Sequence, residues 1–199
     1  MNRRVQPKES LDFFPTPPWA TRALLEHLIP NATGICWEPA CGQGDMVHPL
    51  AERFGKVIAS DIHDYGGGEV RDFMAGPGNM FWDSDPASDW VITNPPFNCA
   101  ERFALRALGV ARVGVALLVR LTFLETPGRY QRLFTVHPPT EVGVFAERVV
   151  IVEGRLDPDG GTATAYAWIV WEKAHMGHGT ELRWIPPCRK RLERRSDYR

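Results

Sequence analysis

Asn94-Pro95-Pro96-Phe97 brings together the residue types needed to activate a planar amino group. An exocyclic amine on a nucleobase or an amide is a poor nucleophile, because its lone pair is delocalised into the π system. Two acceptors that hold both amine hydrogens draw the nitrogen toward sp³ geometry and free the lone pair. The Asn94 side-chain oxygen supplies one acceptor, and the Pro95 carbonyl can supply the second. Prolines at 95 and 96 fix φ and remove two N–H donors, which leaves a stiff turn that presents carbonyls. Phe97 adds a flat face on which a base can stack. The same residues are also an ordinary strand terminator, since Asn favours turns and proline ends a ladder. The apolar run Trp90-Val91-Ile92-Thr93 leads into the turn and predicts a buried strand at the C-terminal edge of a parallel sheet.

The weight of this element comes from what precedes it. Ile35-Cys36-Trp37-Glu38 predicts a short strand ending in an acid. Pro39-Ala40-Cys41-Gly42-Gln43-Gly44-Asp45 then forms a Gly-x-Gly turn opening a helix with Met46, Val47, Leu50, Ala51 and Phe54 on one apolar stripe. Such a strand, turn and helix let backbone approach a cofactor at the helix N-terminus. The dinucleotide fingerprint wants a third glycine, which is missing, and Glu38 suits a cationic amino group better than a pyrophosphate. A second strand, Lys56 to Asp61, places Asp61 19 positions after Gly42, where an acid binds vicinal ribose hydroxyls. Asp72 follows 11 positions later, where its carboxylate can accept from an adenine amino group while Phe73 packs beside the ring. Singly, Asp61 and Asp72 read as solvated loop residues. In this order they read as ligands.

With Asp12-Phe13-Phe14-Pro15-Thr16-Pro17 upstream, the ordered set resembles a class I S-adenosylmethionine-dependent methyltransferase, similar to the DNA N6-adenine methyltransferases. The cofactor loop precedes Asn94-Pro95-Pro96-Phe97, as in the gamma arrangement of that family. The resemblance covers most of the chain. It implies a cofactor site of Phe14, Pro15, Thr16, Glu38, Pro39, Ala40, Gly42, Gly44, Asp61, Ile62, Asp72, Phe73 and Asn94, with Thr16 at the methionine end. It implies a catalytic element of Asn94, Pro95, Pro96 and Phe97 that holds the target base. Phe97 stands where the family often has tyrosine and keeps the stacking face.

Composition fits one α/β domain over residues 1–199. The chain is 44% hydrophobic, enough for one good core and short for two domains. No apolar run is long enough to span a bilayer, and Met1-Asn2-Arg3-Arg4 is not followed by a signal-peptide hydrophobic region, so a cytoplasmic setting without membrane association is expected. Cys36, Cys41, Cys99 and Cys188 lack disulfide-like pairing or a CxxC motif and read as reduced thiols. Cys41 sits in the cofactor loop, but direct transfer from a sulfonium needs no covalent intermediate. His175-Met176-Gly177-His178 reads as a polar loop, and no metal is implied.

The expected fold class is α/β: a Rossmann-like, doubly wound, mostly parallel sheet closed by a C-terminal antiparallel hairpin. Thr16 is the expected N-cap of a first helix with Pro17 and Pro18 in its first turn and Trp19, Ala23, Leu24 and Leu28 inward. A helix is expected over 99–108, a central strand over 113–119 and a helix from Thr126 through Phe134. Val142–Glu153 and Thr162–Glu172 are the expected hairpin strands around the turn Asp157-Pro158-Asp159-Gly160-Gly161. Glu181-Leu182-Arg183-Trp184-Ile185 is an edge-strand candidate.

Residues 183–199 form a basic tail with seven Lys/Arg and two Asp/Glu, a net +5 on a chain of formal net charge −1, so residues 1–182 carry −6. Arg189, Lys190, Arg191, Arg194 and Arg195 are the expected phosphate contacts, with Arg3, Arg4 and Lys8 adding to them. The competing reading is a solvated terminal helix. Larger DNA methyltransferases carry a target-recognition domain, and no segment of that size is spare here. Readout is then left to loops at 64–77 or 121–127, to the tail, or to a protein partner. The expected reaction is flipping of an adenine out of double-stranded DNA and in-line methyl transfer to its N6. Guanine N2 or adenine in RNA and a protein glutamine amide are planar amines of the same kind and remain open. So does a nucleic-acid-binding protein that keeps the fold without turnover.

Overall fold

The computed structural model describes residues 13–76 and 84–198. Asp12, Arg3, Arg4, Lys8, Pro77 and Arg199, which entered the sequence reading, lie outside the described residues. Eight strands form one sheet: β1 Ile35–Glu38, β2 Lys56–Asp61, β3 Glu69–Val70, β4 Trp90–Thr93, β5 Gly114–Arg120, β6 Glu141–Phe145, β7 Tyr166–Glu172 and β8 Glu181–Ile185. Their order is β3-β2-β1-β4-β5-β7-β6-β8. β3 to β5 are parallel, β7 runs antiparallel to β5 and β6, and β8 is parallel to β6. The expected doubly wound sheet with an antiparallel closing pair is therefore present, and the candidate edge strand forms.

The central strands are apolar on both faces because helices cover both. One layer packs Trp19 and Leu24 of α1 (Pro18–His27) and its C-cap Leu28, with Leu50 of α2 (Val47–Ala51), against Ile92, Leu118 and Trp168. The other packs Phe103, Ala104 and Ala107 of α3 (Ala100–Val110) against Val91, Val115 and Leu117. The small alanines let α3 lie close to the strands, while Trp168 fills the opposite side and donates its indole N–H to the Ala20 carbonyl.

Several expectations change in detail. The stripe after the glycine turn gives a helix of only five residues, with Met46, Leu50 and Phe54 buried but Ala51 exposed. The segment 127–134 is helical, but α4 (Pro127–Arg129) passes directly into a π-helical turn at Tyr130–Phe134. Thr126 caps it with φ 105°, a strained value for a β-branched residue. The two expected hairpin strands do pair, and the turn at Asp157–Gly160 forms with the Gly160 N–H on the Asp157 carbonyl, but it lies inside a long irregular connection, residues 146–165, and does not join the strands directly. The chain leaves the sheet after Phe145 because the Glu147 carboxylate turns back to accept from the N–H groups of Cys188 and Arg189. Val149, Val150 and Ile151 then bury under the sheet instead of extending it.

The tail docks on the same layer. Arg22, 7% exposed on α1, bonds the Glu52 carboxylate, the Asp197 carboxylate and the Leu192 carbonyl. Burial opposes its charge, but the carboxylates of Asp197 and Glu52 outweigh that and hold its pKa above the usual arginine value. Removing Arg22 leaves the buried Asp197 carboxylate without its guanidinium, while Glu52 keeps Arg194; loss of one partner of a buried pair typically costs about 3–5 kcal/mol. Arg22→Ala is expected to lower unfolding free energy by that order in denaturant titration and to deprotect amides at 189–198 in hydrogen exchange. Unchanged protection of the tail would show that Arg22 does not hold it.

Candidate active site at the ends of the central strands

β2, β1 and β4 lie side by side, and all three end at one edge of the sheet. The chain runs outward from β1 through β2 to β3, then crosses back to β4 on the other side of β1. Loops leaving a parallel sheet diverge at such a reversal and open a crevice there. The crevice is a cavity of about 490 Å³. Glu38, Asp61 and Asn94, each at or just past a strand end, face into it with Phe14, Thr16, Asp72 and Phe97. The catalytic element and every proposed cofactor residue except Gly44 line this one cavity.

Asn94 is held with unusual definition. Its side-chain N–H₂ donates to the Phe14 carbonyl and to the Thr16 hydroxyl, each at 3.0 Å. A backbone carbonyl can only accept, so the amide nitrogen must face Phe14 and the amide oxygen must face away. That oxygen is buried and meets no donor among the described residues. Thr16 is not the helix cap the sequence predicts. Pro17 occupies that position, with no side-chain cap, and Thr16, 3% exposed, is used as the anchor of Asn94 instead. Pro95 is buried, and the Pro96 carbonyl accepts from the Cys99 N–H, which locks the turn onto the start of α3.

Glu38 is fully buried. One carboxyl oxygen accepts from the Thr93 hydroxyl at 2.6 Å and from the Ala40 N–H at 3.0 Å, while the other has no partner among the described residues. Burial pushes its pKa up to about 8; the two hydrogen bonds oppose the rise and the nearby Asp61 carboxylate adds to it. Asp61 braces two turns, accepting from the Gly42 N–H at 2.9 Å and the His63 N–H at 3.0 Å. Each oxygen keeps a second lone pair for a further donor. Asp72 accepts from the Met74 N–H at 2.8 Å, and Phe73 packs edge-on to Trp37.

The glycine loop is closed from outside by residues the sequence reading passed over. A Cβ on Gly67 would sit 2.3 Å from the Gly42 carbonyl oxygen, and one on Gly42 (φ 52°) would sit 2.6 Å from the Phe13 ring. Gly44 (φ 93°) shapes the loop without lining the cavity. Residues 66–68 of the loop considered for base readout thus serve the cofactor turn, and the run of three glycines was the available signal. Phe13 stacks on Tyr65, with centroids 4.8 Å apart, along the cavity wall. Met46, His63, Met74, Arg102 and Phe103 also line it unforeseen. Cys41 lines it too, but burial pushes its thiol up to about 12, which suits packing and not nucleophilic attack.

None of the five tail cations lines the cavity. Arg189 pairs with Glu193, Arg191 with Glu26 and Arg194 with Glu52. The tail lies on a domain with excess negative charge, so its nearest counterions are the domain's own acids. Lys190 and Arg195 have no such partner among the described residues.

No protein-family model and no curated protein sequence matches the chain. Solved structures do. A protein assigned as a modification subunit of a type I restriction enzyme from Vibrio vulnificus YJ016 superposes with TM-score 0.58 at 13% identity over 94% of this chain and 50% of its own. One assigned as an RNA methyltransferase from Pyrococcus horikoshii gives 0.57 at 18% identity, covering 84% of this chain and 90% of its own. Magnesium protoporphyrin IX methyltransferase from Synechocystis PCC 6803, solved with bound SAM, gives 0.50 at 15% identity, covering 77% and 78%. The chain spans about half the length of the Vibrio subunit. The likeness is one of fold: this chain has the Rossmann-like architecture of the class I methyltransferases.

Proposed function

We propose that the chain is an S-adenosylmethionine-dependent N-methyltransferase whose acceptor is the N6 amino group of a flipped adenine in DNA. The observation that carries this reading is the Asn94 side chain: its N–H₂ donates to two internal acceptors, and its oxygen is buried without a donor among the described residues, in a residue that lines the cavity. A buried acceptor without a partner costs about 1–3 kcal/mol, and an amino group entering the cavity would relieve that cost. A planar amine on a nucleobase fits this position, with the Pro95 carbonyl for its second hydrogen and Phe97 beneath its ring.

The cavity also fits the cofactor. The unpartnered Glu38 oxygen suits the cationic methionine end, the Gly42–Gly44 turn gives backbone room, Asp61 suits ribose hydroxyls, and Asp72 with Phe73 suits an adenine. When bound, S-adenosylmethionine supplies an electrophilic methyl group on sulfur. Asn94 and Pro95 would hold the two hydrogens of the acceptor amine and so direct its lone pair toward the methyl group, and the proton that the amine gives up would pass to water. Positioning and electrostatics suffice, with no strong base required. Nucleic acid as the acceptor is supported by the neighbours assigned to DNA modification and RNA methylation. Target selection is proposed to need a partner subunit or further segment, since this chain matches only half of the Vibrio subunit.

Labelled-methyl transfer to DNA, RNA and protein, followed by nucleoside analysis, is expected to give N6-methyladenine from DNA. Asn94→Ala is expected to lower kcat about 100-fold or more while cofactor affinity stays near wild type, as for loss of one transition-state acceptor. Retained turnover would remove Asn94 from the chemistry.

Glu38 predicts a pH dependence. Its folded pKa of about 8 lies above its ordinary value of 4.5, so its contribution to stability is fully present below 4.5 and is lost as pH rises through 8. A cationic ligand prefers the ionised form, so S-adenosylmethionine affinity is expected to rise up to about tenfold per pH unit below 8 and then level, with proton release near pH 7. Calorimetry in buffers of different ionisation enthalpy measures that release, and Glu38→Gln is expected to abolish it. Affinity flat between pH 6 and about 8 would place Glu38 outside the cation site.

In the tail, Lys190 and Arg195 are the proposed phosphate-binding cations. Replacing both by alanine is expected to flatten the log–log salt dependence of duplex DNA binding by about 0.9 for each phosphate that the chain then leaves unneutralised. An identical slope would confine the tail to its role in the fold.

A further inference from the structure

Arg120 ends β5, next to the strand from which the Asn94–Phe97 turn departs. Its guanidinium carbon lies over the Phe97 ring, 3.9 Å from the centroid. The guanidinium thus covers the ring face on which a nucleobase would stack. Phe14 leans on the same ring at 51°, so it is a brace and not a stacking partner. Tyr166 stands opposite Arg120 in the β5–β7 register, where burial raises its phenol pKa and the nearby guanidinium opposes the rise. Most of the described arginines meet a carboxylate, as do Arg22, Arg106, Arg132, Arg183, Arg189, Arg191 and Arg194. Arg120 meets none among the described residues; it is exposed and covers Phe97, a residue of the cavity wall. Arg102 lines the same cavity, also without a carboxylate among the described residues.

A ring face and a phenol hold a cation far less firmly than a carboxylate does. A guanidinium is flat enough to mimic a base, stays charged throughout, and matches phosphate oxygens in a bidentate fork. We propose that Arg120 is a place-holder: it covers the target-base position on Phe97 in the absence of nucleic acid, and it moves to a backbone phosphate when the flipped base takes that position. Arg102 supplies a second cation for the adjacent phosphate. The inference rests on the proposed stacking role of Phe97 and assigns the site a polyanionic acceptor, a nucleic acid strand and not a protein amide.

The two roles have opposite signs, so they separate experimentally. Wild type, Arg120→Ala and Arg120→Lys are compared with two probes: adenosine, a base without phosphate, and single-stranded polydeoxyadenylate. Arg120→Ala is expected to bind adenosine about fivefold more tightly than wild type, because no cation–π interaction must be broken first. It is expected to bind the polymer more weakly, with a log–log salt slope flatter by about 0.7, the value for one single-strand phosphate. Arg120→Lys keeps the charge and loses the planar stack, so it is expected to tighten adenosine while keeping the slope. Equal or weaker adenosine binding by Arg120→Ala, beside measurable binding by wild type, would overturn the place-holder and leave the proposed reaction standing. Absence of adenosine binding in all three proteins would overturn both.

Discussion

A single buried carboxyl group joins the strands that part at the centre of this molecule. Glu38 ends β1, and one of its oxygens receives the Thr93 hydroxyl from β4 and the Ala40 N–H from the glycine loop. The two strand ends therefore cannot drift apart, although the loops leaving them run in opposite directions. Everything functional is placed relative to that link: Asn94 follows Thr93 directly, Gly42 follows the Ala40 turn, and Asp61 reaches back to the Gly42 N–H. The cost of burying the acid is visible in its raised pKa. It is carried by the sheet, whose central strands supply apolar surface on both faces.

Strand ends were the legible part of the sequence. Short apolar runs that stop at Glu38, Asp61 and Thr93 define both the strands and the side chains at their tips, since neighbouring parallel strands end together. The order of these elements also brings Asp72 and Phe73 to the wall of the same cavity. Thr16 was legible as a residue and not as a role, because a threonine before two prolines has the signature of a cap whether or not a distant amide needs its oxygen. The glycines at 66–68 were visible, but their purpose depends on backbone brought close by the fold. The turn expected at 157–161 forms, but it closes no short hairpin, for a similar reason. Local turn chemistry could not report that Glu147 would be drawn away to cap residues 188 and 189.

Charge shows where a composition argument stops. The surplus of cations in the last residues reads as a phosphate footprint when the tail is considered alone. On the folded chain, Arg191 and Arg194 meet Glu26 and Glu52, and Arg189 meets Glu193. A cation that already has an acid at contact distance offers little net charge to an approaching anion. The cations left without acids are the ones such an anion would meet, and Arg102 on the cavity wall and Arg120 over Phe97 belong to that set although they lie in no basic run.

The cavity's front wall has a consequence for the order in which the protein assembles. Asn94 is tied to residues 80 and 78 positions earlier, and the carbonyl of Phe13 is met by the Gly154 N–H of the long β6–β7 connection. Contacts of such sequence separation close large loops, whose entropy is recovered only after nearer pairings exist. Strands β1 and β2, and the glycine turn between them, rest on local contacts. A nascent chain can thus form the glycine turn well before the cavity has a front wall, and the Asn94 amide becomes fixed only when both distant segments have arrived. The geometry of the cavity is in this sense a late property of the fold, and it coincides with completion of the domain.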